Sequence, residues 1–384
     1  MLLKILLRNA ARHRLRTALT VAGTVVAILA FVLLQTVVDA WYAGVAASSA
    51  HRLVTRNAIS LIFPLPIHYR DRIRQVEGVT TLSYGNWFGG YYQDPKNFFV
   101  NLAMEPASYL ALYPEYQLSA EERAAFLQDR RGAIVGRKLS ERFGWKVGDT
   151  VPLKGTVFPG DWPVTIRGVY RGRDRNTDET QLFFHWDYLN ETLRATDPRR
   201  VDQVGIYVAG LARPEGAAAA AAAIDALFAS SAAETLTESE QAFLLGFVAM
   251  SETILVATRV VALVVIATLL AVVGNTMAMS VRERIGEYAV LKTLGFGAGR
   301  VAASILGESV LITLLGGALG VGLAFPVTGR FAVLVGSFFP NFAVEPRTVL
   351  EALGAAVLVG IAAAALPARQ AVRVRVAEAL GRVG

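Results

Sequence analysis

The chain has 384 residues, of which 54% are hydrophobic and only 18% charged, and its mean hydropathy is +0.43. Soluble domains carry about 25% charged residues, so a purely soluble protein is disfavoured, and the lack of cysteine excludes disulfides, thiolate metal sites and thiol catalysis. The formal charge of +7 admits nucleic acid or a membrane surface as partner, and the positions of Lys and Arg must decide between them.

A membrane helix needs about 20 apolar residues, because ~30 Å of hydrocarbon is divided by 1.5 Å per residue. The run TALTVAGTVVAILAFVLLQTVV (17–38) carries no charge, and neither do 260–280 and 309–329. A fourth run, 352–368, is shorter and rich in Ala and Gly, and becomes long enough when extended back to Thr348. Four such runs predict four transmembrane helices. The first is too long for the apolar core of a signal peptide, usually about 7–15 residues. Basic residues flank these runs unevenly. Lys4, Arg8, Arg12, Arg14 and Arg16 precede the first; Arg282, Arg284, Lys292 and Arg300 separate the second and third; Arg369, Arg373, Arg375 and Arg382 follow the fourth. The positive-inside rule then places both termini in the cytoplasm. Topology accounts for the excess charge, and nucleic acid is not an expected partner.

Residues 39–247 form one large insertion on the other side. Strand-like runs bounded by Gly, Pro or Asp appear at 97–104, 163–170, 181–186 and 203–210. Helical pieces, HYRDRIRQVEGV and SAEERAAFLQDR, lie among them. The alanine run 217–223 reads as a packed helix, since Ala is the strongest helix former. Thr237 and Glu240 have capping-box spacing, which predicts a helix running unbroken into the second span as a stalk. The fold class expected is an α-helical membrane protein with four transmembrane helices and a large mixed α/β extracytoplasmic domain between the first two.

Catalytic patterns are absent: the chain has no GxxxxGK[ST], GxSxG or HExxH. His13, His51, His68 and His185 are scattered, and the loop RGRDRNTDET (171–180) reads as solvated with local ion pairs. Charge inside a bilayer costs about 2.5–3.5 kcal/mol at mid-helix; Glu308, Glu351 and Arg259 lie near span ends and are expected to reach an interface. Gly316 and Gly320, with Gly317 beside them, have small-xxx-small spacing and predict close helix packing within the bundle or across a dimer. No polar lane crosses the spans, which disfavours a channel.

The segment SVRERIGEYAVLKTLGFG (280–297) follows the second span. Val281, Ile285, Tyr288, Leu291 and Leu294 make one apolar stripe, with Arg282, Glu283, Gly286 and Glu287 on the other face. Ser280 and Glu283 have capping-box spacing, and Leu294-Gly295-Phe296 reads as a glycine C-cap. This is a short amphipathic helix at the cytoplasmic surface. Its acidic pair, Glu283 and Glu287, argues for a protein partner over anionic lipid, which favours Lys and Arg.

That segment with NTMAM before it, together with GESVLITLLGGALGVGLA, PARQAVRVRVAEAL and the outer GAIVGRKLSERFGWKVGDTVPL, resembles the FtsX-like permease family of ABC transporters, of the macrolide-exporter (MacB) type. The resemblance implies a coupling helix docking into an ATPase subunit, with Arg282, Glu283, Arg284, Glu287, Leu291, Lys292 and Gly295 in the docking segment and Glu283, Arg284, Glu287 and Leu291 as contacts. It implies a dimer of permeases with two ATPases; a periplasmic adaptor is the partner that would favour export. No cofactor is expected in this chain, ATP and Mg being held by the ATPase; since only about sixteen residues precede the first span, that ATPase is expected to be a separate subunit. The division expected is a cytoplasmic segment (1–16), span one (17–38), a periplasmic core domain and stalk (39–247), span two (248–280), a coupling helix (281–300), span three (301–329), a short loop (330–347), span four (348–368) and a tail (369–384). The setting is a bacterial inner membrane. The expected function is export or extraction of an amphiphilic substrate, or alternatively regulation of a periplasmic enzyme or sensor.

Overall fold

The computed structural model of the protein describes residues 14–174, 176–335 and 342–373. The basic segment through His13, residues 336–341 of the short loop and the tail from Val374 lie outside the described residues. The chain packs as two units. One contains Trp41–Ser251; the other contains the chain up to Ala40, Glu252–Leu334 and the residues from Phe342 on.

Helix α1 spans Arg14–Ala47. Its buried Thr20, Thr24, Ile28, Val32 and Thr36 recur every fourth residue, as one helical stripe requires. The three threonine hydroxyls donate to carbonyls four residues back, at 2.9, 2.8 and 2.7 Å. These buried polar groups are therefore satisfied within their own helix.

The inserted unit is a twisted mixed sheet with helices on it. It opens with β1 (Arg52–Asn57), β2 (Leu65–Pro66), α2 (Tyr69–Ile73), β3 (Val79–Trp87) and β4 (Tyr91–Tyr92). Next come β5 (Asn101–Met104), α3 (Pro106–Leu112), β6 (Tyr116–Gln117), α4 (Ala120–Gln128), β7 (Gly132–Gly136) and α5 (Arg137–Phe143). The long β8–β9 hairpin follows (Thr150–Gly155 and Gly160–Gly172), then β10 (Leu182–His185) and α6 (Trp186–Thr196). The unit closes with β11 (Gln203–Val204), β12 (Ile206–Leu211), α7 (Ala217–Phe228), β13 (Thr235–Ser239) and α8 (Glu240–Met250). The main sheet runs β13-β1-β12-β3-β5-β10-β7-β9-β8-β4. Pairing is antiparallel except β10 with β5 and β7 with β9. The first and last strands, β1 and β13, are hydrogen-bonded neighbours, so the insertion starts and finishes at one place.

The expected strands are present with different bounds: β5 begins only at Asn101 and β10 spans Leu182–His185, β9 is longer at Gly160–Gly172, and the run at 203–210 divides into β11 and β12. The alanine run does form α7, which buries Ala220, Ile224 and Phe228. Helix α4 carries a complete capping box from Ser119 and Glu122. The box expected at Thr237 and Glu240 is absent. Asp225 of α7 takes the Thr237 hydroxyl and backbone N–H, at 2.7 and 3.0 Å, and holds that residue in β13. Ser239 caps α8 instead, accepting from Ala242 N at 3.1 Å. The unbroken stalk is also absent: α8 stops at Met250, and Ser251 leaves helical geometry with its N–H on the Val248 carbonyl.

After Ser251 come α9 (Glu252–Glu283), α10 (Ile285–Thr293), α11 (Ala298–Val335) and α12 (Pro346–Arg373). Helices α1, α9, α11 and α12 are each long and apolar enough to cross a membrane. Their common core contains Ile28 and Val32 of α1, Val273 and Met277 of α9, Ile305 and Ala324 of α11, and Ala356 and Ala363 of α12. Two glycines of α11 set the approach of α1: a Cβ at Gly316 would stand 2.6 Å from Thr24 Cβ, and one at Gly320 2.9 Å from the Val25 carbonyl. Gly317 meets Ala356 of α12 in the same way, at 2.9 Å. Close backbone approach of this kind substitutes for the hydrophobic effect, which vanishes between helices in lipid.

Candidate coupling site

The polypeptide leaves helical geometry at one residue between α9 and α10. Arg284, at φ −106° and ψ 13°, separates them. The capping box expected from Ser280 and Glu283 does not form, because α9 continues through both; Ser280 is buried inside it. Glu283 instead pairs with Arg16 of α1 at 2.7 Å, a half-exposed contact. At the other end Gly295 is left-handed (φ 84°). Phe296 N–H reaches the Leu291 carbonyl at 3.0 Å and Gly295 N–H that of Lys292 at 3.1 Å. These are the two bonds of a Schellman motif, and they require a residue without Cβ strain at Gly295.

The apolar stripe divides in two. Val281, Tyr288 and Ala289 are buried, with Leu291 packed partly against the same core. Val290, Leu294 and Phe296 are exposed, Leu294 at 69%. Arg282, Glu283 and Glu287 are also exposed. Lys292 turns back, its Nζ donating to the Val372 carbonyl in the last turn of α12 at 2.6 Å. A cation there satisfies a helix-terminal carbonyl and matches the dipole of α12.

Arg284, expected as a docking contact, is buried, and so is Glu308, expected to reach an interface. The reason is their mutual compensation. Arg284 Nη1 donates to Glu308 Oε2 of α11 at 2.8 Å, and Nε to Glu287 Oε2 at 3.2 Å. The guanidinium also lies over the Tyr288 ring, 5.4 Å from its centre, and burial pushes the Tyr288 phenol up to about 12, so it stays neutral. Removing one partner of a buried pair typically costs about 3–5 kcal/mol, whereas an exposed pair contributes about 0–1 kcal/mol. Of the three ion pairs at this site, Arg284–Glu308 dominates. The sequence hint for it was two opposite charges, each at the edge of an apolar run and 24 residues apart. The remaining flagged charges behave simply: Glu351 pairs with Arg347 one turn earlier at 2.8 Å, and Arg259 is exposed.

A second buried arginine escaped the sequence reading. Arg52 of β1 holds Glu240 at 2.7 Å and Glu115 at 2.8 Å, and donates to the Leu112 carbonyl at 2.9 Å. The Tyr113 hydroxyl and the Ser49 N–H complete the shell of Glu240, at 2.9 and 2.8 Å. In the loop 171–180, Asp174 and Asp178 cap local turns and Glu179 pairs with Arg137 at 2.7 Å. No cluster of metal-binding side chains occurs among the described residues.

Two family models match this chain. Residues 259–376 match the FtsX-like permease C-terminal model, and residues 17–227, more than half of the chain, match the MacB-like periplasmic core domain. The chain is an FtsX-like permease with a MacB-type periplasmic domain. The permease is 27% identical over 245 residues to the macrolide export ATP-binding/permease protein MacB of Chromobacterium violaceum, covering 61% of this chain and 36% of that protein. It is 36% identical over 123 residues to MacB 2 of Aeromonas hydrophila, covering 32% of this chain and 19% of that one. The chain thus spans between 17% and 36% of the length of curated relatives such as these. Among solved structures, the periplasmic region of MacB from Actinobacillus actinomycetemcomitans aligns at a TM-score of 0.39 and 8% identity, over 53% of this chain and 95% of that one. The extracellular domain of the ABC-type transporter YknZ from Gram-positive bacteria aligns at 0.35 and 10% identity, over 49% of this chain and all of that one.

Proposed function

We propose that the permease is the membrane subunit of an ABC exporter and that α10 is its docking helix for a separate ATP-hydrolysing subunit. The observation carrying this is the division of α10. One side is anchored to the helical unit by Arg284–Glu308 and Lys292–Val372, while Glu287, Val290, Leu294 and Phe296 face outward. An exposed apolar patch beside acidic groups suits a protein groove better than an anionic lipid surface. The basic flanks support a cytoplasmic position for this face and a periplasmic one for the inserted domain, in a bacterial inner membrane. The buried threonines of α1 bond within their own helix and offer no polar lane, which supports action on an amphiphilic substrate from the outer side over passage through the bundle. The exposed apolar face of α9, with Val260, Leu263 and Val264, fits lipid and a second permease copy.

The test is affinity purification of the full-length permease from native membranes, with identification of the chains that accompany it. An ABC ATPase in stoichiometric amount is expected. Leu294→Glu and Glu287→Arg should each abolish its recovery while the permease stays folded. Normal recovery and normal coupling in both variants would remove α10 as the docking element.

A further inference from the structure

The residue at the break between α9 and α10 is also the one whose side chain is buried and doubly paired. A hinge residue is ordinarily small or solvated; here it is a cation gripped by α11 through Glu308 and by α10 through Glu287. We propose that Arg284 is a positioning residue that passes movement of α10 to α11 through Glu308, and takes no part in docking itself. This rests on the reading of α10 as a docking helix.

Three features support the assignment. Arg284 is buried, so an incoming subunit meets Glu287, Leu294 and Phe296 without touching its guanidinium. Its link to Glu308 is the strong one of the site, because separating the two would strand a charge away from water. A push on α10 therefore carries α11 with it more readily than it parts them. Finally, α11 is held against α1 through Gly316 and Gly320 at a separation with no slack for a Cβ, so a displacement of α11 repacks α1. Glu287 is the adjustable arm: its side chain remains 45% exposed and borders the docking face. Binding there can alter its share of the guanidinium without exposing Glu308.

The experiment uses the full-length permease purified with its ATPase. The chain lacks cysteine, so Phe331→Cys supplies one reporter thiol near the far end of α11, 45% exposed and roughly 35 Å along the helix from Glu308. The readout is the change in thiol modification rate when ATP and Mg are added, beside ATPase recovery and ATP turnover. With Glu308→Gln, recovery and turnover should stay within about twofold, while the nucleotide-dependent change in thiol rate falls by about tenfold. Glu308→Asp, which keeps the charge, should restore most of that change. An undiminished response in Glu308→Gln overturns the proposal. So does loss of ATPase recovery, which would make the pair part of docking. Failure of both variants to fold overturns it too, since the pair would then serve stability alone. If the wild-type permease brings down no ATPase, the docking reading falls instead.

Discussion

The inserted domain and the helical unit each bury one arginine between two carboxylates, and they do it differently. Arg52 is bound by Glu115, Glu240 and the Leu112 carbonyl, with the Tyr113 ring 4.1 Å from the guanidinium carbon. Burial raises the Tyr113 phenol well above its ordinary value, so it remains a donor to Glu240. Both carboxylates are largely enclosed, at 14% and 10% exposed. Arg284 has one enclosed carboxylate and one that is nearly half exposed. Enclosed carboxylates hold a buried cation firmly in place, whereas a carboxylate open to water is held less tightly. Arg52 fixes where β1, β6 and α8 meet, as befits the place where the insertion begins and ends. Arg284 joins α10 to α11 with one of its two carboxylates left open to solvent.

The largest expected effect follows from breaking the fixed site. Arg52→Met leaves Glu115 and Glu240 facing each other without a cation, and the Glu240 carboxylate still buried. The cost should be about 3–5 kcal/mol, enough to consume much of a domain's stability. Limited proteolysis of the full-length protein in detergent should show the inserted domain cut at rates close to those of the denatured chain. The helical unit should keep its protection. If the inserted domain remains protease-resistant, the Arg52 cluster is peripheral and the contrast with Arg284 loses its basis.

How much of this was legible in the sequence depends on how local each cause is. The four membrane helices were visible because hydrocarbon thickness forces ~20 consecutive apolar residues, a constraint no partner can relax. The turn after α10 was visible because a Schellman motif lies within six residues. The sheet order was not, since β10 pairs with β5 and β7, and β7 lies beside β9, through contacts that no local pattern encodes. The two capping-box spacings show the limit well. Ser119 and Glu122 form the box; Thr237 and Glu240, at the same spacing, do not, because Asp225 and Arg52 capture them from elsewhere. Arg284 is a docking contact only by the family resemblance, since neither the apolar stripe nor the polar face includes it. Its burial is decided by a glutamate on another helix, and a helical wheel of one segment cannot show it.

A second test addresses what holds the helical unit besides charge. Gly316→Leu would drive a side chain into Thr24 and the Val21 carbonyl of α1. Overpacking at such a site costs about 1–3 kcal/mol, and it should lower the unfolding midpoint in detergent and weaken the nucleotide response. Gly322→Leu is the matched control, since nothing lies within 4 Å of its Cβ position; it should stay within about 0.5 kcal/mol of the wild type. Equal losses from both would mean that helix propensity or lipid contact, not approach to α1, governs α11.

The smallest effect is expected from the exposed ion pair that joins α1 to α9. Arg16 and Glu283 meet at 2.7 Å with side chains 22% and 44% exposed, so water and salt screen them as they cannot screen Arg284 and Glu308. Arg16→Ala should change stability by only about 0–1 kcal/mol. Raising ionic strength toward 1 M, where the Debye length is about 3 Å, should erase even that difference. The loss caused by Glu308→Gln should persist in the same high-salt buffer, because its electrostatics run through protein and not through solvent. Unfolding midpoints at low and high salt for these two variants therefore separate a surface contact from a buried one. If both losses vanish together with salt, Glu308 is hydrated in the working protein, and the firm grip of Arg284 on α11 has to be abandoned.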